Sequence, residues 1–526
     1  MAYEVESTAP DREDRGRSET IEIALRRLKL AKAAREKQLA REKKALEFQV
    51  PERQWDDDMR RTRQATTVDG FDIPARPMLS IPKLNQPIQL VLNQEKASHL
   101  GVNISPLNED ATDGTADVMR DLYRREEQRS RAGLARSWAF DRAVKAGFGA
   151  YRIDTEYDDE SSNPFDQRIV WKRLLYQDAV YFDPEATEPD WSDGEWAFEL
   201  AWKRRSWIRR EFPGAAIGNY DTDELKALAE EAPDWVLLAG QDDEDDPAIL
   251  VAIYWRKEYK RRTWLVLEDG SFAYEDEIPA GKTPMPGKLG KRRDVQVPTV
   301  YRSIITACEE LHPPEEWNGK YIPLIPVIGV ELQPFDGERR WQGVIEPSMD
   351  AQKLFNYSAS SAVELAATET KAPYLMYEGQ DEGFEDMWRQ AAVRNFPALK
   401  VALKRDPNGS VLPHPARAQV DVGRLGPSMM LLEKADQFIQ ASTTTLDQTR
   451  IEQMGRQRVA HQTINALQEQ SDLGNSHYLH NLQTISMPYE AKVVIDLMAK
   501  IYDRPGRVAR LLDEEDDERT VLLNQP

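Results

Sequence analysis

Between Leu354 and Val363 the chain runs LFNYSASSAV without one charged residue, in a protein where 31% of residues are charged. The surrounding stretch, EPSMDAQKLFNYSASSAVELAATETKAPYL, opens on Pro347 and Ser348, residue types that start helices, and so predicts a long helix. A helix facing water keeps a charged face, whereas small uncharged residues on several faces need close neighbours on more than one side, as in a bundle or a ring of repeated subunits. A second long helix is predicted in LGPSMMLLEKADQFIQASTTTLDQTRIEQMG, where Leu431, Ala435, Phe438, Ser442 and Leu446 recur at spacings of three or four. Between the two lies a compact segment, Met376 to Arg417, with DEGFEDMWRQA helical and ALKVALKRDPNGSVLPHP a strand turning at Asp406 to Gly409.

The rest of the chain predicts an α+β protein. ETIEIALRRLKLAKAAREKQLAREKKALEF, Glu19 to Phe48, holds neither Pro nor Gly and should be one helix, ended by Pro51, with Trp55 anchoring the turn. A helix is expected after Pro87, then a short strand Val102 to Ser105, then one helix from Ala116 to Ala146 with Val118, Leu122, Ala132, Leu134, Trp138, Ala139 and Ala143 near one side. Strands are expected in AYRIDTEYD and over residues 166–210, and a helix pair with an acidic loop over 215–248. Ile249 to Lys257 is expected to pair with Arg262 to Leu267 as a hairpin, Tyr321 to Leu332 to form a strand pair, and Gln462 to Asp503 to be helical before a closing hairpin with an acidic turn.

Charge and cysteine content narrow the function. With 70 basic and 91 acidic residues the net charge is −21, so a general DNA-coating role is disfavoured and any DNA contact must be local or weak. Cys308 is the only cysteine, which excludes an internal disulfide or a multi-cysteine metal site and points to a reducing cytoplasm. No window approaches eighteen uncharged apolar residues, and the N-terminus has no signal-peptide character, so neither insertion in a membrane nor secretion is expected.

Catalytic motifs fail one by one. Gly147 and Gly149 in KAGFGAYRIDTEYDDE follow a helix and precede a strand, the reverse of a dinucleotide loop, so Gly147 reads as a helix cap and Gly149 as a tight turn. GKT at Gly281 to Thr283 has Asp276 where a Walker loop opens with glycine, and Pro284 blocks the following helix. Asp183, Asp190 and Asp193 lack the alternation of a calcium loop, and His477 and His480 have no accompanying metal motif. No catalytic residue, metal or cofactor is predicted.

The ordered succession of RPMLSIPKLNQPIQLVLNQEKASHLGVNISP, WAFDRAVKAGFGAYRIDTEYDDE, DAVYFDPEATEPDWSDGEWAF, GKYIPLIPVIGVE and HYLHNLQTISMPYEAKVVIDLMAKIYDRPGRVARLL resembles the body of portal proteins from short-tailed, podovirus-type phages. The resemblance implies a ring, usually of twelve subunits, at one capsid vertex of the virion, assembled in the host bacterial cytoplasm, with double-stranded DNA passing through its channel. It implies an N-terminal helix and wing over 19–345, a first stem helix over 346–375, a clip over 376–420, a second stem helix over 421–455, a tunnel region over 456–475 and a C-terminal wing or crown base over 476–526, after a tail over 1–18 whose polar, charged composition predicts disorder. Arg450, Arg456, Arg458 and Gln462 are then candidates to face the channel. Trp388, Lys400, Lys404 and Arg405 are candidates for docking the large terminase subunit and later the head-to-tail adaptor. Contacts with major capsid and scaffolding proteins follow as well, and none with a membrane. Relatives usually continue into a helical crown or barrel, whereas this sequence stops at Pro526. The alternatives are a metal-dependent nuclease with scattered carboxylates and a monomeric scaffolding or adaptor protein.

Overall fold

The computed structural model describes residues 18–523 apart from 69–70, 74, 99–100, 107–112, 160–162, 216–247, 269–271, 277, 279–282, 285–291, 307–308, 370–373, 392–395, 408, 418–424, 444–475, 505 and 513–517. In chain order the helices are α1 (Glu19–Gln49), α2 (Asp57–Arg63), α3 (Asn85–Ala97), α4 (Asp113–Ser130), α5 (Ala132–Ala146), α6 (Arg205–Glu211), α7 (Ile345–Glu369), α8 (Glu385–Gln390), α9 (Leu425–Thr443) and α10 (Met487–Ile501). The strands are β1 (Thr66–Val68), β2 (Phe71–Ile73), β3 (Phe148–Tyr157), β4 (Gln167–Arg173), β5 (Val180–Phe182), β6 (Trp196–Arg204), β7 (Ala248–Val266), β8 (Phe272–Tyr274), β9 (Arg292–Ile305), β10 (Glu310–Glu316), β11 (Leu324–Ile328), β12 (Val330–Leu332), β13 (Arg340–Gln342), β14 (Tyr374–Leu375), β15 (Ala416–Arg417), β16 (Arg507–Leu512) and β17 (Glu518–Leu523). They divide into two compact units, the first built from Met1–Lys43, Leu90–Gly343 and Ser476–Pro526, the second from Lys44–Gln89 and Val344–Asn475.

The first unit carries two larger antiparallel sheets besides the two-stranded pairs β12–β13 and β16–β17. One has the order β10-β9-β7-β6-β5, with β8 also on β7, and the other the order β11-β3-β4. Helix α1 covers the larger sheet: Ala24, Leu28 and Ala31, one helical face, pack with Tyr181, Trp196, Phe198, Leu200, Ala252, Tyr254 and Ile305. Proline marks where strands have an open side. Pro298 lies in β9 beyond the residues that pair with β10, and Pro326 lies in the edge strand β11, so neither removes a needed ladder bond. The C-terminal segment covers the β11 edge, since Ser486 Oγ donates to the Pro326 carbonyl at 2.7 Å. Just ahead of α10, Leu482–Ser486 form a turn of π-helix in which the Met487 amide reaches back to the Leu482 carbonyl. Pro488 follows, and its missing N–H disrupts the ordinary α ladder there.

Several expectations change here. The helix expected over Ala116 to Ala146 is two helices, broken at Arg131, which adopts a left-handed φ of 55°. The break turns Leu134 and Trp138 outward, to 64% and 38% exposure, instead of into the core. Val102 to Ser105 forms no strand. The hairpin expected between Ile249 and Leu267 does not exist: β7 runs straight through Lys260 and Arg261, because no Gly, Pro, Asn or Asp offers a turn between them and β9 supplies partners from Ala252 to Leu265. The expected strand pair in Tyr321 to Leu332 is two strands that pair elsewhere, β11 with β3 and β12 with β13. The acidic region 216–247 lies outside the described residues, and of the closing helical stretch only residues from 476 onward are described.

In the second unit α7 shows why its sequence is so bland. Ser348, Gln352, Asn356, Ser358, Ala359 and Ser360 are all buried. Ser348 meets Ser442 of α9 at 2.8 Å, while Ser360 Oγ and Asn356 Oδ1 accept the backbone amides of Leu79 and Ile81, and Gln352 donates to the Ile81 carbonyl. The small polar side chains thus replace backbone partners for an extended segment and let α9 approach closely. Trp55 anchors its turn as expected, buried and donating to Ser80 Oγ. On α9 the buried positions are Ala435, Ile439 and Thr443; Leu431 and Phe438, expected on the inner face, are half exposed at 51% and 54%.

Gly133 sits exposed inside α5 with open space around a hypothetical Cβ. Gly133→Ala should therefore stabilise the first unit by about 0.5–1 kcal/mol through helix propensity, measured as a shift in the urea midpoint.

Candidate functional site

The four clip candidates all fall in one small module of the second unit. The ends of this module meet where β14 pairs with β15, Tyr374 opposite Arg417. The Trp388 indole donates to the Lys400 carbonyl at 2.9 Å and stands edge-on to Tyr374, 5.1 Å between ring centres. Lys400 Nζ lies 6.0 Å from the Phe384 ring centre. Lys404 pairs with Glu382 at 2.6 Å, so its charge is largely answered inside the module. Arg405 is exposed, its backbone bridging to Val411 around the turn at Asp406 to Gly409, where the Gly409 amide bonds the Asp406 carbonyl. Trp388 is thus a structural clasp, and Arg405 and Lys400 are the cations presented outward.

The sequence reading missed the apolar side chains of this module: Leu375, Tyr377, Leu403 and Val411 are 65%, 54%, 74% and 53% exposed. The signal was present in KVALKR, since Leu403 and Arg405 fall two apart in extended chain and so on one side. Arg450, Arg456, Arg458 and Gln462 lie outside the described residues.

The motifs rejected earlier find structural explanations. Gly147 has φ 100° and its amide closes the helix on Ala143, a C-cap; a Cβ there would stand 2.7 Å from the Trp341 backbone. Gly149 is not a turn residue but lies inside β3, opposite Val327, where its bare Cα lets the strand press against α5. In the 183–195 loop the carboxylates serve their own backbone: Asp193 accepts from the Thr187 and Glu188 amides, Asp183 from Glu185 and Glu195, Asp190 from Ser192. The cation among them is the buried Lys257, whose ammonium donates to the Ser192 carbonyl at 2.7 Å. Burial lowers the Lys257 pKa, and the surrounding acids work against that. Gly281 and Lys282 lie outside the described residues, and Thr283 Oγ1 donates to Glu268.

The densest electrostatics of the first unit is buried. Glu490 of α10 is fully enclosed and accepts hydrogen bonds from the hydroxyls of Tyr123 and Tyr151 and from Arg136, whose Nε stands 2.9 Å away. Arg136 also pairs with Glu127. Burial alone would raise the Glu490 pKa, but the guanidinium and the three donors outweigh it and hold the carboxyl below its ordinary value. Burial dominates at Glu127 and pushes its pKa up. The network joins α4, α5, β3 and α10, and offers no open face to a substrate.

Among the described residues no group of three or more His, Cys, Asp or Glu could hold a metal ion, and no helix is long and apolar enough to cross a membrane. The chain belongs to the phage P22-like portal protein family, whose sequence model matches residues 25–526. It is 25% identical over 463 residues to the portal protein of Acyrthosiphon pisum secondary endosymbiont phage 1, covering 84% of this chain and 61% of that protein. The chain thus spans about three fifths of the length of this curated relative.

Proposed function

We propose that the protein is the portal subunit of a tailed phage of the podovirus type. It would form a closed ring of twelve copies at one capsid vertex, conduct double-stranded DNA in packaging and ejection, and dock first the large terminase subunit and then the tail adaptor. The observation that carries this reading is the family match over residues 25–526. In this reading the first unit is the wing, with major capsid and scaffolding proteins as neighbours. Helices α7 and α9 are the stem, the module from Tyr374 to Arg417 is the clip, and 456–475 is the tunnel region that carries Arg456, Arg458 and Gln462, with Arg450 just ahead of it. In this reading the first stem helix over 346–375 is carried by α7, Ile345–Glu369, with the strand Tyr374–Leu375 opening the clip. The net charge of −21 suits a conduit: every Lys or Arg that grips phosphate adds affinity by counterion release, and a tightly held duplex would stall. The motor energy comes from a separate ATPase.

Mass photometry of the purified chain over a range of concentrations, with negative-stain imaging, tests this. The expected result is a closed species near twelve times the 60.3 kDa subunit, roughly 720 kDa, with an axial hole. A chain that stays monomeric at every concentration, even when mixed with its capsid and scaffolding proteins, overturns the reading.

A further inference from the structure

The break at Arg131 leaves an apolar patch on the first unit. Leu134 and Trp138, one helical turn apart on α5, are 64% and 38% exposed, and Leu175 and Tyr176, just after β4, are 51% and 37% exposed. Trp138 ties the two pairs together. The Trp138 indole donates to the Leu174 carbonyl at 2.9 Å, and the Arg173 guanidinium lies over the same ring at 4.8 Å. The indole is therefore held on an edge and a face before any partner arrives, the condition for a rigid aromatic anchor. Arg131 and Arg173 flank the patch, both exposed, and among the described residues neither has a carboxylate partner.

We propose that this patch is a contact surface between subunits, occupied by a different face of a second copy of this chain; the proposal rests on the ring reading above. Soluble chains seldom leave Trp, Tyr and two Leu together in water, and Trp, Tyr and Arg are the residue types that dominate interface energetics. A closed ring needs a patch that meets an unlike patch on its neighbour. Charge selects the occupant: two unanswered arginines face outward from a chain of net charge −21, so the remaining surface of an identical copy is on average acidic and complementary. Duplex DNA fits less well, because its recognition calls for a stripe of cations rather than an apolar centre with two.

The test uses the full-length chain. Leu134→Glu and Leu175→Glu change exposed side chains and should leave the melting temperature of the unassembled subunit unchanged, while the concentration for half-assembly rises at least tenfold. Arg173→Glu should also weaken assembly and flatten its dependence on salt. Phe335→Glu, at an 84% exposed residue of the same unit, should assemble as the parent does. A photo-crosslinking residue at position 134 should join two subunits within the ring. Variants that form rings at the parental concentration overturn the interface and leave the ring intact. Crosslinks only to capsid or scaffolding proteins overturn the choice of occupant. A parent chain that forms no closed ring overturns both this proposal and the one it rests on.

Discussion

Gly149→Ala is expected to leave little folded protein. The added methyl would fall within the van der Waals shell of the Ala139 carbonyl on α5, and close to the Ala139 carbonyl carbon and the Gln177 side chain as well. Backbone atoms of a helix that is buried along Ala135, Arg136, Ala139, Phe140 and Ala143 cannot step aside as a flexible side chain would. Strand β3 pairs with both β4 and β11, so separating it from α5 disturbs the whole smaller sheet. Overpacking commonly costs about 1–3 kcal/mol, and a clash with main chain belongs at or above the upper end. Soluble yield and the urea midpoint are the readouts. A variant that unfolds within about 0.5 kcal/mol of the parent would mean that strand and helix are not in contact at this point.

Glu490→Ala should destabilise the first unit by about 3–5 kcal/mol, because it leaves the Arg136 guanidinium buried with only Glu127 to answer it and strips two buried tyrosine hydroxyls of their acceptor. The paired change Glu490→Leu with Arg136→Met should recover much of the loss, since well-packed apolar groups often replace a buried ion pair at no net cost. Urea denaturation of the single and double variants separates the two cases. The pH dependence has a definite sign. The Glu490 pKa is held below its unfolded value, so its stabilisation is complete above the ordinary carboxylate range and is lost as pH falls through the depressed value. Burial raises Glu95, Glu126 and Glu127, which work in the opposite direction and favour the fold as they protonate. The stability gap between the parent and Glu490→Gln should therefore shrink as pH is lowered from about 7 towards about 3. A gap that stays constant over that range would mean that the Glu490 carboxyl has the same pKa folded and unfolded, and a gap that widens would mean that burial raises it.

Local chemistry made much of the architecture readable in advance. Helix α1 and its stop at Pro51 follow from helix-forming residues without Pro or Gly, and the cap at Gly147 follows from the one residue type that tolerates φ 100° without strain. The turn at Asp406 to Gly409 and the closing hairpin of β16 and β17 are likewise properties of short stretches. The uncharged face of α7 announced close neighbours; which neighbours, an extended segment and α9, was beyond it. For the candidate site, the small module between two long helices was legible, and so were the cations it displays. The clasp formed by Trp388 and Lys400, and the answering of Lys404 by Glu382, were not, because each depends on residues brought together from more than ten positions apart.

What required the tertiary structure is whatever long-range pairing decides. Periodicity grouped Leu134 and Trp138 with Leu122, Ala132, Ala139 and Ala143 on one side of a single helix, yet one left-handed residue at Arg131 rotates α5 relative to α4 and turns them to water. Ile249 to Leu267 read as a hairpin, yet β9 holds it as one strand by offering fourteen consecutive partners to a stretch without a turn residue. Glu490 looks like any helical glutamate until Arg136, Tyr123 and Tyr151, each more than 330 positions away, close over it. Caps, turns and propensities are written within a few residues; burial, register and ion pairing are free energies of contact between distant ones, and only the folded chain brings those residues within reach.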